Sequence, residues 1–374
     1  MNKKIYFKII ILLLIMLIVF SPLVYNEDKI QSNNAYSYKY FNLSNMKATL
    51  NYYTHIINND SWDIIPEDKE LRLGDSATTV YLIKKRLIKI KDLDKENINE
   101  KYLYDDKLKE AVSKFQFRHG LEVTGIVNKK TIQELNISPE NRIQQIETNL
   151  NSIKKYANKL NDKYIIVNIP DFKLHVINNY KTIMNMKVIV GSTKSPTPVL
   201  SSKITYLVLN PDWIIPYNSS IVRILPKIKN NPTYIEEKNI KVFRGWGENS
   251  VEINPDTINW ANVTANNLIY SFIQEPGPSN PMGLVKFKFP NNRNISLHDS
   301  PDKQFFNEKS RAFSLGCIRV KEPIKLAKYI LEDMSSMKDK NVMDIIESAE
   351  TTVINLEKPI PIFLVYWTAW VTKD

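Results

Sequence analysis

Cys317 and His298 are the residues of this chain whose types and spacing suit covalent chemistry. Cys317 is the one cysteine among 374 residues, so no disulfide can form within the chain, and its side chain is either buried and inert or a reactive thiol. A free thiol, with a pKa of about 8.5, is only slightly ionised at neutral pH. A nearby imidazole increases the thiolate fraction and can then protonate a leaving amine, so the pair indicates nucleophilic acyl transfer.

The residues around the cysteine fit the same chemistry. Gly316 directly precedes it, and a glycine lets backbone N–H groups approach an oxyanion that develops on a substrate carbonyl. Arg319 is two residues beyond Cys317, so on a strand both side chains face the same way. A fixed cation at that position would favour the thiolate or hold a substrate carboxylate.

The elements that must position these residues are mostly strands. From Tyr164 onward, β-branched runs of strand length occupy residues 165–169, 173–177, 186–190, 204–209, 284–289 and 295–298. His298 closes one predicted strand and Cys317 opens another, so adjacent strand ends would bring the two side chains within hydrogen-bond reach. The other predicted elements are helices at 323–334 and 342–348, a last strand at 361–369, and an inserted lid at about 215–267.

A compact helical module precedes the strands. Apolar residues recur at helical spacing in three stretches, which are Val80, Ile83 and Leu87, then Leu108, Ala111, Val112 and Phe115, then Ile132 and Leu135. Glycines at positions 74, 120 and 125 mark the turns between the stretches. The pattern predicts three short helices around one small core, followed by a further helix from Pro139 to Leu160.

The N-terminus predicts export. Lys3, Lys4 and Lys8 precede an apolar run that reaches Tyr25, about 20 residues or ~30 Å as a helix, which matches a bilayer core. No small-residue cleavage site closes the run, and the lysines favour a cytoplasmic N-terminus. We therefore expect an uncleaved signal anchor in the inner membrane, with the rest of the chain in the periplasm. A cleaved signal peptide is the alternative.

Composition and charge say less about function. Hydrophobic residues make up 43% of the chain and charged residues 24%, which is ordinary globular composition. The net charge of +11 fits an anionic partner, but the lysines are scattered and no nucleic-acid motif accompanies them.

His55, His119 and His175 show no metal-ligand spacing. Core packing is the favoured role of three tryptophans in or beside the lid, Trp213, Trp246 and Trp260.

The helical module resembles the peptidoglycan-binding type 1 domain. The resemblance is carried by Leu71-x-x-Gly74-Asp75, Val80-x-x-Ile83, Ala111-Val112-x-x-Phe115-Gln116, Gly120-Leu121-x-x-Thr124-Gly125-x-Val127, Thr131 and Leu135-Asn136. Thr124 departs from the family, which usually has an aspartate before the glycine. The resemblance implies that the ligand of this module is peptidoglycan, its glycan and stem peptides.

Roughly residues 140–340 resemble the YkuD-type L,D-transpeptidases, most closely the large members that carry a lid. The resemblance is carried by His298-Asp299-Ser300-Pro301 and Arg311-Ala312-x-Ser314-x-Gly316-Cys317-Ile318-Arg319-Val320, with further matches at 164–170, 186–191, 197–198, 210–216, 275–278, 283–287 and 289–291. It implies that Cys317 is the nucleophile and that His298 is its base and acid. It places Ser314, Gly316 and Arg319 in the supporting positions.

The implied reaction needs no metal or organic cofactor. Cys317 attacks the peptide bond after the third residue of a donor tetrapeptide stem and releases the terminal D-alanine. The acyl group then passes to a side-chain amine of an acceptor stem, which gives a 3-3 cross-link. Carbapenems would acylate the thiol and ordinary penicillins would do so poorly. Two alternatives stay open: an L,D-carboxypeptidase or cross-link hydrolase of the same chemistry, and a non-catalytic peptidoglycan-binding anchor.

Three further residues depart from the pattern of this family. Leu315 stands where a His or Ser is common, and Ser296 stands where the close subgroup usually has Tyr. Ile273 replaces an Arg that is expected beside the Pro-Gly turn. Loss of that Arg would alter substrate carboxylate binding or the lid, but none of the departures removes the nucleophile or the base.

The sequence thus predicts a multi-domain α+β protein. The catalytic domain is expected to be mainly β, a YkuD-like β-sandwich with flanking helices and an inserted lid. The predicted segments are a transmembrane helix at 1–25, a tether and helical segment at 26–66, a three-helix peptidoglycan-binding domain at 67–138, a helical connector at 139–163, the catalytic domain at 164–345, and a C-terminal segment with a final strand at 346–374.

Overall fold

The structure is a computed structural model that describes residues 23–25, 43–59, 61–95, 100–157, 163–179, 181–338 and 340–371. The chain divides into two compact units. The first consists of Met1–Leu160, Tyr180–Thr182 and Tyr366–Asp374. The second consists of Asn161–Asn179 and Ile183–Val365.

Most of the predicted membrane anchor lies outside the described residues. Only its last three residues, Leu23–Tyr25, are described, and they form strand β1. The prediction of a helix was wrong for these three residues, because their backbone pairs in parallel with Ala369–Val371 near the other end of the chain. Within the described ranges, no helix is both long enough and apolar enough to span a bilayer.

The first unit is mainly helical. Its helices are α1 (Leu43–Asn59), α2 (Thr78–Lys89), α3 (Asp106–Arg118), α4 (Lys129–Leu135) and α5 (Pro139–Ala157). Helices α2, α3 and α4 bury the apolar residues whose spacing predicted them, among them Val80, Leu108 and Ile132. Asp105 caps α3 by accepting a hydrogen bond from the Leu108 N–H at 2.8 Å. The three-helix module that the sequence predicted is therefore confirmed.

Thr124 keeps the turn in this module intact although it replaces the usual aspartate. Its Oγ1 accepts a hydrogen bond from the Ile126 N–H at 3.1 Å, a role that an aspartate oxygen would also fill. Buried Gln116 holds the same turn, since its Oε1 accepts the N–H groups of Thr124 and Gly125, both at 2.9 Å. The Gln116 amide also donates to the Ile126 carbonyl at 2.8 Å. The turn is thus fully hydrogen-bonded.

The second unit is mainly β, as predicted. Its strands are β2 (Lys163–Asn168), β3 (Lys173–Asn178), β4 (Lys181–Gly191), β5 (Leu200–Leu209), β6 (Trp213–Ile214), β7 (Ile240–Arg244), β8 (Val251–Ile253), β9 (Tyr270–Gln274), β10 (Val285–Lys288), β11 (Leu297–His298), β12 (Ala312–Ser314), β13 (Ile318–Val320) and β14 (Thr352–Val365). Nine of them form one sheet in the order β12-β4-β13-β11-β10-β5-β14-β2-β3. Strand β4 also pairs with β3, so the sheet closes on itself.

This closure differs from the expected sandwich. A sandwich consists of two separate sheets, whereas these strands share one hydrogen-bonded ladder. The physical reason is that the β3–β4 pairing satisfies strand edges that two open sheets would leave unpaired. Periodicity along one strand indicates which face is buried but not how the first and last strands of a sheet meet, so the sequence pattern did not reveal that the sheet closes.

The lid has its own small sheet, in the order β6-β9-β7-β8. Its helical segments are α6 (Tyr217–Ser219), a π-helix at Ser220–Ile224, α7 (Leu225–Asn230), α8 (Tyr234–Glu237) and 3-10 turns at Pro255–Thr257, Trp260–Asn262 and Ala265–Asn267. Strands β6 and β9 lie just outside the predicted range of 215–267. A separate apolar cluster that includes Ile228, Val242 and Phe272 supports this sheet.

The three tryptophans of the lid region differ in their environments. Trp213 and Trp260 pack against the apolar cluster of the lid. The Trp260 ring lies 5.6 Å from the Tyr270 ring, measured between centroids. Trp246 is instead 41% exposed and meets the ring of Tyr217 edge-on at 5.1 Å. Core packing therefore accounts for Trp213 and Trp260 but not for Trp246.

Helices α9 (Pro323–Leu331) and α10 (Val342–Glu347) complete the core of the second unit. Leu326 and Ile330 of α9 pack with sheet residues such as Val188 and Phe287. The long strand β14 starts well before the predicted range of 361–369 and ends within it. The chain then returns to the first unit, where β15 (Ala369–Val371) pairs with β1.

Candidate active site

The nucleophile and base candidates lie on neighbouring strands of the second unit. His298 is the last residue of β11, and Cys317 directly precedes β13. The two strands pair in parallel, with Leu297 opposite Ile318 and His298 opposite Arg319. The two predicted strands are therefore neighbours, but because they run in parallel this register aligns Cys317 with Ser296 and not with His298.

The thiol of Cys317 is half-buried and has two polar neighbours. Its Sγ lies 3.8 Å from the Ser296 hydroxyl and 3.7 Å from the Asn294 carbonyl oxygen. Among the described residues, no hydrogen bond joins this thiol to the imidazole of His298. The sequence therefore predicted the right pair of strands, but the direct contact between the two side chains is not made in this structure.

His298 is buried and neutral. Its Nδ1 lies 2.6 Å from the Asp299 carbonyl oxygen, and because a carbonyl only accepts, this nitrogen carries the proton. Burial is the largest cause that lowers the pKa of the imidazole to about 3; the positive charges of Arg319 and Lys286 contribute, and backbone carbonyls at Asp299 and Pro281 oppose the shift. At neutral pH the ring is thus uncharged and carries one proton, on Nδ1.

Asp299 anchors the backbone that orients this imidazole. Its carboxylate accepts hydrogen bonds from the Leu284 N–H at 3.0 Å and the Ser300 N–H at 2.7 Å, and it also pairs with the ammonium of Lys303. Gly283 makes room for it, since a Cβ at that position would lie 2.4 Å from an Asp299 carboxylate oxygen. Asp299 was not predicted to have a role, although an acid directly after the histidine is a signal that the sequence contains.

The loop that carries Cys317 is held from both sides. The Ser314 hydroxyl donates to the Cys317 carbonyl at 2.6 Å and accepts the Gly316 N–H at 3.1 Å. The Thr197 hydroxyl donates to the Gly316 carbonyl at 2.8 Å and accepts the Gly191 N–H, also at 2.8 Å. Thr197 was matched to the family pattern but not recognised as a support of the nucleophile.

These contacts define how Gly316 is held in the loop. Its own N–H already donates to Ser314 and is not available to an oxyanion. The backbone conformation at this position favours a glycine. Its φ is +114°, and a Cβ would lie 3.3 Å from the Ile295 side chain. In the part of the chain that the structure describes, the N–H of Cys317 itself donates to no acceptor. That group is the candidate oxyanion donor.

Two cations act on the thiol. Arg319 is partly exposed, and its Nη1 lies 3.7 Å from an Asp302 carboxylate oxygen. Lys286 lies on β10 directly opposite His298. Burial lowers the pKa of both cations, while a negative charge on Cys317 raises it. Lys286 was not predicted as a site residue. Its position between Val285 and Phe287, which are buried, was the available signal, because successive residues of a strand face opposite sides of the sheet.

The other residues that were singled out from the sequence take part in none of the contacts described above. Leu315 is 59% exposed. Ile273 lies in the lid strand β9, opposite Lys241 of β7. His119 is buried against Glu134 with 3.2 Å between Nδ1 and Oε1, and burial lowers its pKa. Within the described ranges, no three His, Cys, Asp or Glu side chains are grouped so that they could hold a metal ion.

The fold and this site define a mainly-β protein with a candidate cysteine–histidine site at the ends of two adjacent strands. The family model of the YkuD L,D-transpeptidase catalytic domain matches residues 162–353, which is more than half of the chain. The chain therefore belongs to the YkuD family of L,D-transpeptidase catalytic domains. A second model, described as "Putative peptidoglycan binding domain", matches residues 76–135, so a domain of that family is also present.

Similar proteins include one curated relative and several solved structures. A "Putative L,D-transpeptidase" of Haemophilus influenzae is 35% identical over 207 residues, which cover 55% of this chain and 41% of the relative. The chain thus spans less than half the length of that relative. An L,D-transpeptidase from Mycobacterium smegmatis has a TM-score of 0.27 at 9% identity, with 55% of this chain and 58% of its own covered.

A further solved structure is the catalytic domain of an E. faecium L,D-transpeptidase acylated by ertapenem. It has a TM-score of 0.23 at 11% identity, and the match covers 55% of this chain and 98% of its own. The family membership of the chain rests on the sequence matches and not on these low scores.

Proposed function

We propose that the chain is an L,D-transpeptidase that forms peptidoglycan cross-links, with Cys317 as its nucleophile and His298 as its base and acid. The observation that carries the proposal is the half-buried thiol one strand away from a buried, neutral imidazole. The membership of the chain in the YkuD family supports it.

The first half of the proposed reaction is acylation. The Cys317 thiol gives its proton to His298, and the sulfur attacks the carbonyl carbon between the third residue of a tetrapeptide stem and its terminal D-alanine. The Cys317 N–H stabilises the resulting oxyanion. The C–N bond then breaks, His298 returns the proton to the departing amine, and D-alanine leaves a thioester behind.

The second half is transfer. A side-chain amine of an acceptor stem attacks the thioester carbonyl and loses a proton to His298. The C–S bond breaks, the sulfur takes the proton back, and a 3-3 linkage between the third residues of the two stems results.

Each supporting residue has a task in this scheme. Ser314 and Gly316 hold the nucleophile loop, while Arg319 and Lys286 offset the negative charge of the thiolate.

The other parts of the chain fit the same substrate. The peptidoglycan-binding domain would bring the catalytic unit to its polymer, and the apolar N-terminal run would tether the protein to the inner membrane, in the periplasm. Fractionation of cells that express the full chain tests the location. Recovery of the protein in the cytosol would contradict this part of the proposal.

Incubation of the full chain with a defined tetrapeptide muropeptide tests the function. Transfer yields a dimer with loss of D-alanine, whereas use of water as acceptor yields a tripeptide alone. The intact mass after exposure to a carbapenem provides a second test. We expect one adduct on the wild-type chain and none on Cys317→Ala, and ordinary penicillins should react poorly. An unmodified wild-type chain in both tests would favour a non-catalytic binding protein.

A further inference from the structure

Ser296 supplies a buried hydroxyl that the proposed reaction does not use. Its side chain is 2% exposed, and its Oγ lies 3.8 Å from the Cys317 sulfur. Among the described residues, this sulfur is the one polar partner of the hydroxyl. The backbone carbonyl of Ser296 accepts the Ile318 N–H at 3.0 Å, which fixes the hydroxyl against the strand that follows the nucleophile.

The two polar neighbours of the thiol differ in what they can offer to it. The Asn294 carbonyl oxygen, 3.7 Å from the sulfur, only accepts, so it can pair with S–H but not with a thiolate. A serine hydroxyl both donates and accepts. When Cys317 loses its proton, the bond to Asn294 is lost, and Ser296 is the neighbour that still has a hydrogen to donate.

We infer that Ser296 donates its hydroxyl hydrogen to the ionised sulfur of Cys317 and thereby stabilises the thiolate relative to the thiol. The hydroxyl keeps its own proton throughout, because the proton of the thiol goes to His298. Hydrogen bonds to a charged acceptor are stronger than those to a neutral one, so the contact favours the ionised form. The inference rests on the proposed role of Cys317 as nucleophile.

Other charged groups also act around the thiol and remain in place when Ser296 is changed. These charged groups are Lys286 on β10 and Arg319 on β13, and the neutral imidazole of His298 lies on the neighbouring strand β11. Those that act on these cations in turn are Asp212, Arg223, Lys288 and Asp302. A change in the pH dependence of thiol reactivity after substitution of Ser296 alone therefore reports on the lost hydroxyl.

Two variants of similar shape isolate the hydroxyl. Ser296→Thr keeps it, and Ser296→Val replaces it with a methyl group. Ser220→Ala is the matched control, since Ser220 is a fully buried serine of the lid whose hydroxyl donates to the Pro216 carbonyl at 3.2 Å. Circular dichroism checks that each variant is folded. Ser296→Ala repeats the comparison with a smaller side chain if Ser296→Val does not fold.

The measurement is the rate of alkylation of the full chain by iodoacetamide from about pH 5 to about pH 10, read by intact mass. The single cysteine makes each adduct unambiguous. We expect Ser296→Val to react about tenfold more slowly at neutral pH and its midpoint to move to higher pH, because a charge-assisted hydrogen bond is lost. Ser296→Thr and Ser220→Ala should match the wild-type chain.

Identical profiles for Ser296→Val, Ser296→Thr and the wild-type chain would overturn the inference. Alkylation does not require the transpeptidase reaction, so it separates this result from a failure of the proposed function. A wild-type chain that alkylates readily but forms neither a carbapenem adduct nor a muropeptide product would contradict the proposed function alone.

Discussion

His298 and Arg319 lie opposite each other on the parallel strands β11 and β13. After burial, the charge of Arg319 is the largest effect that lowers the pKa of the imidazole, to about 3. A histidine with an ordinary pKa near ~6.5 would be partly protonated at neutral pH. Burial and the charge of Arg319 together therefore keep His298 unprotonated on its second nitrogen at neutral pH.

Replacement of Arg319 by an uncharged residue should raise the pKa of His298. We expect Arg319→Met to move it upward from about 3 towards the ordinary value of 6.5, because one positive charge near the imidazole is removed while burial remains. NMR titration of the imidazole signals measures the change, and His298→Gln identifies the signal. Arg72→Met is the control, since Arg72 is an exposed residue of the first unit that pairs with Glu70. Equal titrations in both variants would contradict the assignment.

Acidification should destabilise the second unit through His298. The folded-state pKa lies below the unfolded one, so the unfolded state takes up the proton first and stability falls as the pH drops from about 6.5 towards about 3. Between pH 7 and pH 5 the loss from this residue is about 2 kcal/mol. Denaturant unfolding at the two pH values measures it.

The control for this experiment is His298→Gln, which has no imidazole to protonate. Its loss of stability on acidification should be smaller than that of the wild-type chain, but not zero. Burial also lowers the pKa of His119 and of His175, and both remain. An equal loss in the variant and the wild-type chain would show that His298 is not buried as the structure has it.

Gly283→Ala should disrupt the support of the imidazole. The position has a φ of +62°, and a Cβ there would clash with the Asp299 carboxylate. Strain and overpacking together should lower the free energy of unfolding by about 3 kcal/mol and slow acylation of Cys317. Gly247→Ala is the matched control, because its φ is +80° but nothing lies within 4 Å of the added Cβ. Equal losses in the two variants would show that backbone strain alone matters.

Thr197→Val should weaken the loop that carries the nucleophile. The change leaves the Gly191 N–H and the Gly316 carbonyl without their partner. We expect a loss of about 2–6 kcal/mol in the free energy of unfolding, since each of the two unsatisfied buried groups costs about 1–3 kcal/mol. A misplaced nucleophile should also be acylated by a carbapenem about tenfold more slowly.

Thr205→Val serves as the control for this prediction. Its hydroxyl makes one long hydrogen bond, 3.4 Å to the Lys288 carbonyl, in a partly exposed position. The loss of stability should therefore be below about 1 kcal/mol. Wild-type acylation kinetics in Thr197→Val would show that this threonine does not position the cysteine.

The motif that contains the cysteine mixes chemical and structural residues, and the sequence alone did not separate them. Arg311 is a charged member of the motif, yet it is buried and donates to the backbone carbonyls of Val188, Phe172 and Glu308. It holds neighbouring segments together, and none of these hydrogen bonds is to Cys317. Lys286 lies far from the motif in sequence, yet it acts electrostatically on Cys317.

The sequence by itself determined the family, the order of the helical and mainly-β regions, and the candidates Cys317 and His298. These follow from residue identity, spacing and periodicity, which are local properties of the chain. The tertiary structure decided the closure of the sheet, the neutral state of His298 and the hydroxyl of Ser296 beside the sulfur. Each depends on strand pairing or burial between residues distant in the chain, and a one-dimensional pattern does not encode which distant residues become neighbours.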